Sequence, residues 1–209
     1  MNKILIIGSN SFSGSHFINY CLNKNLKVIG VSRSKEINNV FLPYKKSKYI
    51  KNYSFFKIDL NKDLKKLENL IKENKISHIV NFSSQSMVGQ SWDTPEDWYR
   101  TNVLSSVKMI EILKNINTIK KFLHISTPEV YGSIIGKKKE TFIYNPSTPY
   151  ATSRAAFDMH LKNYFDSLSF PVLFTRAANV YGPYQQLYRI IPRAIIYPYL
   201  NKKLNLDGG

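Results

Sequence analysis

The chain has 209 residues, of which 43% are hydrophobic and 21% charged, so its composition is globular and excludes wholesale disorder. No apolar run approaches the roughly 20 residues that cross a membrane, and the apolar run near the amino terminus is shorter than a secretory signal. The single cysteine, Cys21, excludes an internal disulfide. We therefore expect a cytoplasmic protein with no membrane partner.

The charge balance is strongly basic, with 30 lysines and arginines against 14 acidic residues and a formal net charge of +16. Such an excess is common in nucleic-acid-binding proteins, and the basic-aromatic cluster at 44–51 could contact a phosphate backbone. The lysines are scattered over predicted helix faces, however, and are not gathered on one of them. We interpret the cluster as a solvated connection between strands. We expect no nucleic-acid partner and a surface that attracts small molecules bearing a diphosphate.

Predicted strands and helices alternate along the chain. Continuous apolar runs indicate buried strands, and apolar residues spaced three and four apart indicate helices. The strands are predicted at 3–7, 27–31, 55–58, 78–82, 122–126 and 171–176, and the helices at 14–22, 63–74, 95–115 and 149–168. This alternation predicts right-handed βαβ units and an α/β fold with a doubly wound parallel sheet.

A glycine-rich turn, residues 8–14, follows the first strand, and a helix begins at once. Backbone N–H groups and the positive end of a helix can receive a pyrophosphate at such a turn. Ser11 occupies the position of the usual middle glycine, and a plain strand-to-helix turn is the alternative interpretation. The residues predicted to bind the cofactor here are Gly8, Ser11, Phe12, Ser13 and Gly14.

The end of the second strand predicts which dinucleotide is bound. An acidic residue there holds the ribose of NAD, whereas an arginine accommodates the 2′-phosphate of NADP. This chain has Ser32 and Arg33 and no acid before Glu36, which favours NADP; NAD stays open if Arg33 is an ordinary surface cation. The cofactor site is completed by residues after the third and fourth strands: Asp59, Leu60, Phe82, Ser83, Ser84 and Gln85.

Four residues form the predicted catalytic group. Thr127 and Glu129 follow the fifth strand, and Tyr150 and Arg154 lie one turn apart on a helix, so they share a face. A cation near a tyrosine stabilises its phenolate and makes it a usable general base. The four histidines have no metal-ligand spacing, and we expect no metal.

These motifs together resemble the extended short-chain dehydrogenase/reductase family, in particular its nucleotide-sugar 4,6-dehydratase branch, which includes the GDP-mannose and dTDP-glucose enzymes. The matching segments are 8–14, 81–95, 126–132, 149–156 and 175–183. The resemblance also implies that Tyr150 and Arg154 belong to the cofactor site, at the nicotinamide ribose. The sequence departs from the family at Arg154, where the family has lysine. It also departs at Pro128, where the dTDP-glucose branch has aspartic acid.

The resemblance implies a Rossmann domain at 1–185, with residues 186–209 beginning a smaller carboxy-terminal substrate domain that is largely missing from this chain. It implies a homodimer, or a higher homo-oligomer, built on helices 95–115 and 149–168. It also implies that residues 204–209 form the strand and turn that precede the missing part. The implied substrate is a nucleotide-diphosphate sugar, contacted by Ser86, Asn179 and Arg193.

The implied reaction oxidises the sugar at C4 with bound NADP, eliminates water across C5 and C6, and returns the hydride to C6. Tyr150, assisted by Thr127 and Arg154, would take the C4 hydroxyl proton, and Glu129 the C5 proton. The alternatives are a 4-epimerase, which needs no C5 base, and a dinucleotide-binding protein without catalysis.

Overall fold

The computed structural model describes residues 3–205. Within them, six parallel strands form one sheet in the order β3-β2-β1-β4-β5-β6. Their bounds are β1 Lys3–Ile7, β2 Lys27–Ser32, β3 Tyr53–Lys57, β4 His78–Asn81, β5 Lys121–Ile125 and β6 Val172–Thr175. The order runs outward from β1 in both directions, which is the topology of a doubly wound sheet. The predicted fold class is confirmed.

Between residues 3 and 205, six α-helices connect and follow the strands. They are α1 Phe12–Asn23, α2 Leu64–Glu73, α3 Pro95–Trp98, α4 Ser106–Leu113, α5 Pro149–Leu168 and α6 Ile190–Tyr199. A π-helical segment, Tyr99–Ser105, joins α3 to α4 within the region predicted as a single helix. Among residues 3–205, no helix is long and apolar enough to cross a membrane.

The core lies on both faces of the sheet. One cluster packs α2, α4 and α5 against β1, β4 and β5, and includes Leu5, Leu67, Ile110 and Phe157. A second cluster packs α1 and the connection after β2 on the other face. Burial on both faces explains why the central strands are continuous apolar runs. Because the six strands are parallel, their carboxyl ends lie at the same edge of the sheet.

The connection between β2 and β3 is not the solvated segment that we expected. Leu42 and Tyr44 are fully buried in the second core cluster, and the 3-10 turn Pro43–Lys46 packs against α1. The Tyr44 hydroxyl donates to Glu36 at 2.6 Å. The basic cluster therefore contains a buried aromatic residue, Tyr44. Its burial was not predicted because it lies in a short stretch rich in lysine.

Two elements differ from the predicted pattern. β3 begins at Tyr53 because it pairs with β2 from Val28 onward, and as an edge strand it is not continuously apolar. Helix α6 was not predicted, and none of its residues is buried. Residues 206–209, the end of the stretch expected to form a strand and turn, lie outside the described residues.

Candidate active site

The turn after β1 forms a narrow cradle that requires glycine. Gly8 has a φ of +83°, and a Cβ atom there would come within 2.8 Å of the Phe82 and Ser83 backbone. A Cβ atom on Gly14 would come within 2.4 Å of the Gly8 carbonyl oxygen. The two glycines therefore allow the turn, the start of α1 and the end of β4 to approach one another.

Ser11 has a structural role that explains its departure from the glycine motif. Its backbone is extended, so no glycine is needed, and its hydroxyl caps α1 by accepting from Gly14 N at 3.0 Å. The same hydroxyl donates to the Gly8 carbonyl at 2.7 Å. Within the described residues, the Phe12 and Ser13 N–H groups donate to no acceptor outside the helix, because they belong to its unpaired first turn. These two groups suit an anion such as a pyrophosphate.

The end of β2 is tied into this turn. The buried Ser32 hydroxyl accepts from Asn10 N at 3.0 Å and lies 3.3 Å from the Ser9 hydroxyl. Arg33 follows on the exposed edge and donates to Gln85 Oε1 at 3.3 Å. The glycine turn after β1, the segment after β4 and Arg33 therefore lie beside one another at the carboxyl edge of the sheet.

Asp59 and Leu60 lie at the end of β3, as predicted, but in different surroundings. Leu60 is buried in the first core cluster. The Asp59 carboxylate accepts from Asn61 N at 2.9 Å and so stabilises the turn before α2.

The π-helical segment brings Asn102 to the segment after β4. The side chain of Asn102, which is 2% exposed, accepts from Gln85 N at 2.8 Å and donates to Gln85 O at 3.0 Å. It also donates to the Ser153 hydroxyl on α5 at 2.9 Å. Asn102 therefore fixes the predicted cofactor segment relative to the helix that carries Tyr150. Asn102 was not predicted from the sequence, because an asparagine on a helix has no distinctive spacing.

Thr127 and Glu129 lie in a single turn at the end of β5. Thr127 is buried and its hydroxyl caps the 3-10 turn Pro128–Tyr131 by accepting from Glu129 N at 3.3 Å. Pro128 fits the first position of this turn, because its missing N–H is not needed there. The Glu129 side chain is exposed to solvent, yet the surrounding protein partly desolvates its carboxylate and raises its pKa above the usual range. The turn packs against α5.

Tyr150 lies in the first turn of α5 and is 8% exposed. Its backbone N–H donates to the fully buried Ser91 hydroxyl at 3.2 Å, and Thr148 caps the helix by accepting from Ala151 N. The start of α5 is thereby fixed beside the 3-10 turn Gly89–Trp92. Tyr150, Thr127 and Glu129 consequently lie on the same edge of the sheet as the glycine cradle.

Arg154 does not make the hydrogen bond to Tyr150 that would be expected of a direct partner. It is 3% exposed, and its guanidinium donates to the Ile125 carbonyl at the end of β5. The His124 ring lies 3.3 Å from the same nitrogen. Among the described residues, no hydrogen bond joins Arg154 to the Tyr150 hydroxyl. The guanidinium is larger than the ammonium group of a lysine and reaches the backbone of β5. A lysine at this position would contact the strand with a different geometry.

Asp158 lies one helical turn beyond Arg154 and was also missed from the sequence. It is fully buried; its carboxylate accepts from Ser126 at 2.6 Å and from Arg176 at 3.0 Å. Burial raises the pKa of Asp158, although Ser126 and the two arginines act in the opposite direction. Tyr150, Arg154 and Asp158 are spaced four apart on α5. An acid one turn beyond Arg154 was the signal that could have revealed it.

His124 lies at the centre of this network, fully buried as expected for a core histidine. Burial, and then Arg154 and Arg176, hold its pKa well below the usual range, so the ring is neutral. Asn81 Nδ2 lies 3.4 Å from Nδ1, and its amide orientation is fixed because Oδ1 accepts from Ser83. Nε2 lies 3.3 Å from the Arg154 guanidinium and 3.4 Å from Asp158 Oδ1.

The three predicted substrate residues are not brought together by any hydrogen bond in the described part of the chain. Ser86 and Asn179 are exposed, in the segments after β4 and β6. Arg193 lies on α6 with its guanidinium over the Tyr197 ring. Residues 3–205 contain no group of three acidic, histidine or cysteine side chains placed to hold a metal ion.

The sheet order, the glycine cradle and the helix amino terminus at the switch point between β1 and β4 define a Rossmann-type α/β protein. The sequence model of the GDP-mannose 4,6 dehydratase family matches residues 5–208. The chain therefore belongs to this family of extended short-chain dehydrogenases/reductases, and the predicted relationship is confirmed.

Individual relatives agree with this assignment. The chain is 32% identical over 225 residues to the dTDP-D-glucose 4,6-dehydratase of Dictyostelium discoideum, covering 100% of this chain and 50% of that protein. A crystal structure of dTDP-glucose 4,6-dehydratase from Bacillus anthracis in complex with NAD has a TM-score of 0.81, at 32% identity over 98% of this chain. A Thermus thermophilus UDP-glucose 4-epimerase complex with NAD has a TM-score of 0.80, at 26% identity over 93% of this chain.

The chain spans less than two thirds of the length of these relatives. It covers 63% of the Bacillus anthracis chain and 61% of the Thermus thermophilus chain.

Proposed function

We propose that this chain carries the catalytic part of a nucleotide-sugar 4,6-dehydratase that uses a bound nicotinamide dinucleotide. One observation carries the proposal: Glu129, in a turn packed against α5, lies on the same sheet edge as Tyr150 and the glycine cradle. A hydroxyl, a carboxylate and a phenol at that edge are the groups that the reaction needs. Membership of the dehydratase family supports the same activity.

Each residue has a proposed role in moving protons. Tyr150 accepts the proton of the sugar C4 hydroxyl, and Thr127 orients that hydroxyl by hydrogen bonding. Glu129 removes the C5 proton once C4 is a ketone. A raised pKa suits Glu129 to this role, because a more basic carboxylate abstracts a carbon-bound proton more readily and can afterwards protonate the departing C6 hydroxyl. Proline at 128 leaves Glu129 as the acid in this turn.

Arg154 is proposed to act from beneath the site. Its guanidinium holds the Ile125 carbonyl two residues before Thr127, and its charge lies one turn from Tyr150 on α5. It therefore supports the phenolate through the electric field and fixes the end of β5.

The cradle fits a nicotinamide dinucleotide. Gly8 and Gly14 leave room for close approach, and the N–H groups of Phe12 and Ser13 would receive the pyrophosphate. When bound, the nicotinamide ring would take a hydride from the sugar and return it. The related structures above were solved with NAD, which favours NAD. Ser32 and Arg33 at the end of β2 favour NADP instead.

We further propose that residues 1–185 form the cofactor-binding domain and that 186–209 begin a substrate-binding region, with Ser86, Asn179 and Arg193 on the sugar nucleotide. A homodimer through the helices predicted at 95–115 and 149–168 is supported by side chains that are half exposed there: Leu104, Met159 and Phe165. A cytoplasmic location remains a prediction.

The decisive experiment incubates the protein with dTDP-glucose or GDP-mannose and either dinucleotide, and follows the sugar nucleotide by mass spectrometry. We expect a product lighter by one water molecule, with deuterium incorporated at C5 in heavy water. Glu129→Gln should slow water loss about 10²-fold or more, whereas Glu140→Gln, at an exposed glutamate in the following connection, should not slow it. Inversion at C4 without loss of water would overturn the dehydratase assignment.

Two alternatives have observations in their favour. The fold similarity to the Thermus thermophilus 4-epimerase supports a 4-epimerase, in which Glu129→Gln would leave turnover unchanged. The burial of Arg154 away from Tyr150 supports a dinucleotide-binding protein without catalysis. Dinucleotide binding with no change in any sugar nucleotide would favour this second alternative.

A further inference from the structure

The proposed catalytic groups Thr127 and Glu129 lie in one short segment, residues 126–131, which we call the Glu129 turn. Its first residue is fixed by a buried hydrogen bond, because the Ser126 hydroxyl donates to Asp158 Oδ2 at 2.6 Å and both side chains are buried. This bond joins the residue after β5 to α5. It therefore fixes the point at which the Glu129 turn leaves the sheet.

The last residue of the Glu129 turn, Tyr131, is held by a buried cation. Arg176 follows β6, and its side chain is 7% exposed. Four aromatic ring centres lie within 5.5 Å of its guanidinium carbon, and they belong to Tyr131, Phe142, Tyr144 and Phe174. An aromatic face attracts a cation, and the attraction is stronger when both are withdrawn from water. The cation therefore fixes the end of the turn.

One ion pair joins these two ends. The guanidinium of Arg176 donates to Asp158 Oδ2 at 3.0 Å, and the same oxygen accepts from Ser126. The carboxylate is fully buried, so protein groups and not water determine its position. The Asp158–Arg176 pair consequently connects the first and last residues of the Glu129 turn through the core.

The connection from this turn to α5, residues 132–148, is fixed at the same place. The Tyr131 hydroxyl donates to Thr141 O and accepts from Thr141 N, each at 3.1 Å. Gly132 has a φ of +73°, and a Cβ atom there would collide with the Asn145 carbonyl oxygen, so the connection packs directly on the turn. Two of the four rings around the cation belong to this connection. The same cation therefore holds the connection against the turn.

We infer that Arg176 and Asp158 are positioning residues for the proposed reaction, because their buried pair fixes Glu129 relative to Tyr150. The inference rests on the proposed dehydratase function, in which Glu129 takes the C5 proton. It adds two residues that have no role in the proton transfers of that proposal. Displacing a catalytic group lowers turnover more than substrate binding, because the geometry of the reacting state is lost.

The Glu129 carboxyl group reports on this positioning without any substrate. Burial is the cause of its raised pKa, so release of the turn would expose the carboxylate to water and lower its pKa toward the ordinary value of 4.5. The titratable and charged groups on the surrounding elements do not contribute to this shift: Tyr131, Tyr144, Tyr150, Arg154, Asp158 and Arg176. Carbon-13 NMR of the labelled carboxyl group measures the pKa in the unliganded protein.

The test removes both partners together, which avoids leaving one charge buried and unpaired. Arg176→Met combined with Asp158→Asn should lower the Glu129 pKa toward 4.5. It should also lower kcat for dehydration about 10²-fold, with KM changed less than about threefold. Arg176→Lys keeps a cation among the rings and should restore most of the turnover.

Two milder variants test the same inference if the double variant does not fold. Ser126→Ala removes the hydrogen bond at the first end of the turn, and Tyr131→Phe removes those to Thr141 at the other end. Both leave the Asp158–Arg176 pair intact. Each should shift the Glu129 pKa in the same direction by a smaller amount, and no shift in either variant would overturn the inference.

Tyr44→Phe is the matched control for Tyr131→Phe, because it also removes the hydrogen bond of a buried tyrosine hydroxyl, in this case to Glu36 after β2. It should leave the Glu129 pKa unchanged, and an equal shift in both variants would overturn the inference in favour of general loosening. An unshifted Glu129 pKa in the folded double variant would also overturn it. If the unmodified protein dehydrates no sugar nucleotide, the proposed function fails, while the NMR comparison still decides whether the pair fixes the turn.

Discussion

Replacing Arg154 by methionine removes one of the two cations that flank the buried carboxylate of Asp158. Methionine preserves much of the volume of the side chain, so the loss is mainly electrostatic. Asp158 keeps Arg176 at 3.0 Å and the Ser126 hydroxyl at 2.6 Å. Arg154 forms no ion pair with Asp158; its guanidinium donates to the Ile125 carbonyl, and it acts on Asp158 only through its charge. Losing a hydrogen bond from a charged donor costs about 1.5–3 kcal/mol, so we expect a loss of about 2 kcal/mol of unfolding free energy at pH 8.

The pH dependence of this loss follows from the sign of the shift at Asp158. Burial raises the folded-state pKa of Asp158 above 3.8, so the folded protein binds this proton more readily than the unfolded chain. The contribution of Asp158 therefore becomes less favourable as pH rises from the unfolded pKa toward the folded one. Removing Arg154 raises the folded-state pKa of Asp158 further. The pH range over which this contribution is lost therefore becomes wider. The variant should consequently lose less stability at pH 5 than at pH 8.

Urea denaturation of the unliganded protein at both pH values measures this effect. Arg154→Lys keeps the charge and should lose less than half as much as Arg154→Met. Asp158→Asn in the Arg154→Met background removes the stranded carboxylate, so the two losses should fail to add by more than about 1 kcal/mol. A loss below about 1 kcal/mol in Arg154→Met, equal at both pH values and additive with Asp158→Asn, would refute this electrostatic reasoning.

Three further outcomes test other parts of the structure. Gly14→Ala should lower stability by about 1–3 kcal/mol in thermal unfolding and abolish dinucleotide binding, because the new Cβ meets the Gly8 carbonyl at 2.4 Å; unchanged binding would contradict the cradle. Glu129→Gln should lower dehydration about 10²-fold or more. With Glu129 present, the acid limb of the pH–rate profile should lie above the usual glutamate pKa of 4.5, and a lower limb would argue against this base. Leu104→Glu, at a half-exposed position, should convert a dimer into a monomer in light scattering, whereas Lys108→Glu should not.

The sheet could be predicted from the sequence because its central strands are buried on both faces. Lys3–Ile7 and the strand at Lys27 are continuous apolar runs, and helix Pro149–Leu168 begins at a proline after a capping threonine. Elements without a continuous apolar run or a helix-capping signal were harder to predict. Helix α6 is apolar around its circumference and has no buried residue in the described chain, so its periodicity carries no signal.

The site was predictable where local spacing determines chemistry, and not where distant segments meet. The glycine turn and the pair Tyr150 and Arg154 depend on residues within one turn of each other. The partners of Arg154 are His124 and Ile125 of β5, so only the fold brings them within reach. Asn102 was hidden for a different reason, since a π-helical segment has the composition of the α-helices that flank it.

The fixed position of the turn after β1 affects the entropy of binding. Gly8 N and Ser9 N both donate to the Val31 carbonyl of β2, and Phe82 N donates to Ile7 of β1, so neighbouring strands hold the turn from both sides. A ligand that arrives there does not have to order it. The conformational entropy lost on binding must instead come from segments that are exposed, such as Val180 and Tyr181 after β6. Substitutions in those segments should therefore change affinity by changing the conformational entropy of the unbound protein. The turn itself should contribute to affinity mainly through its shape complementarity to the ligand.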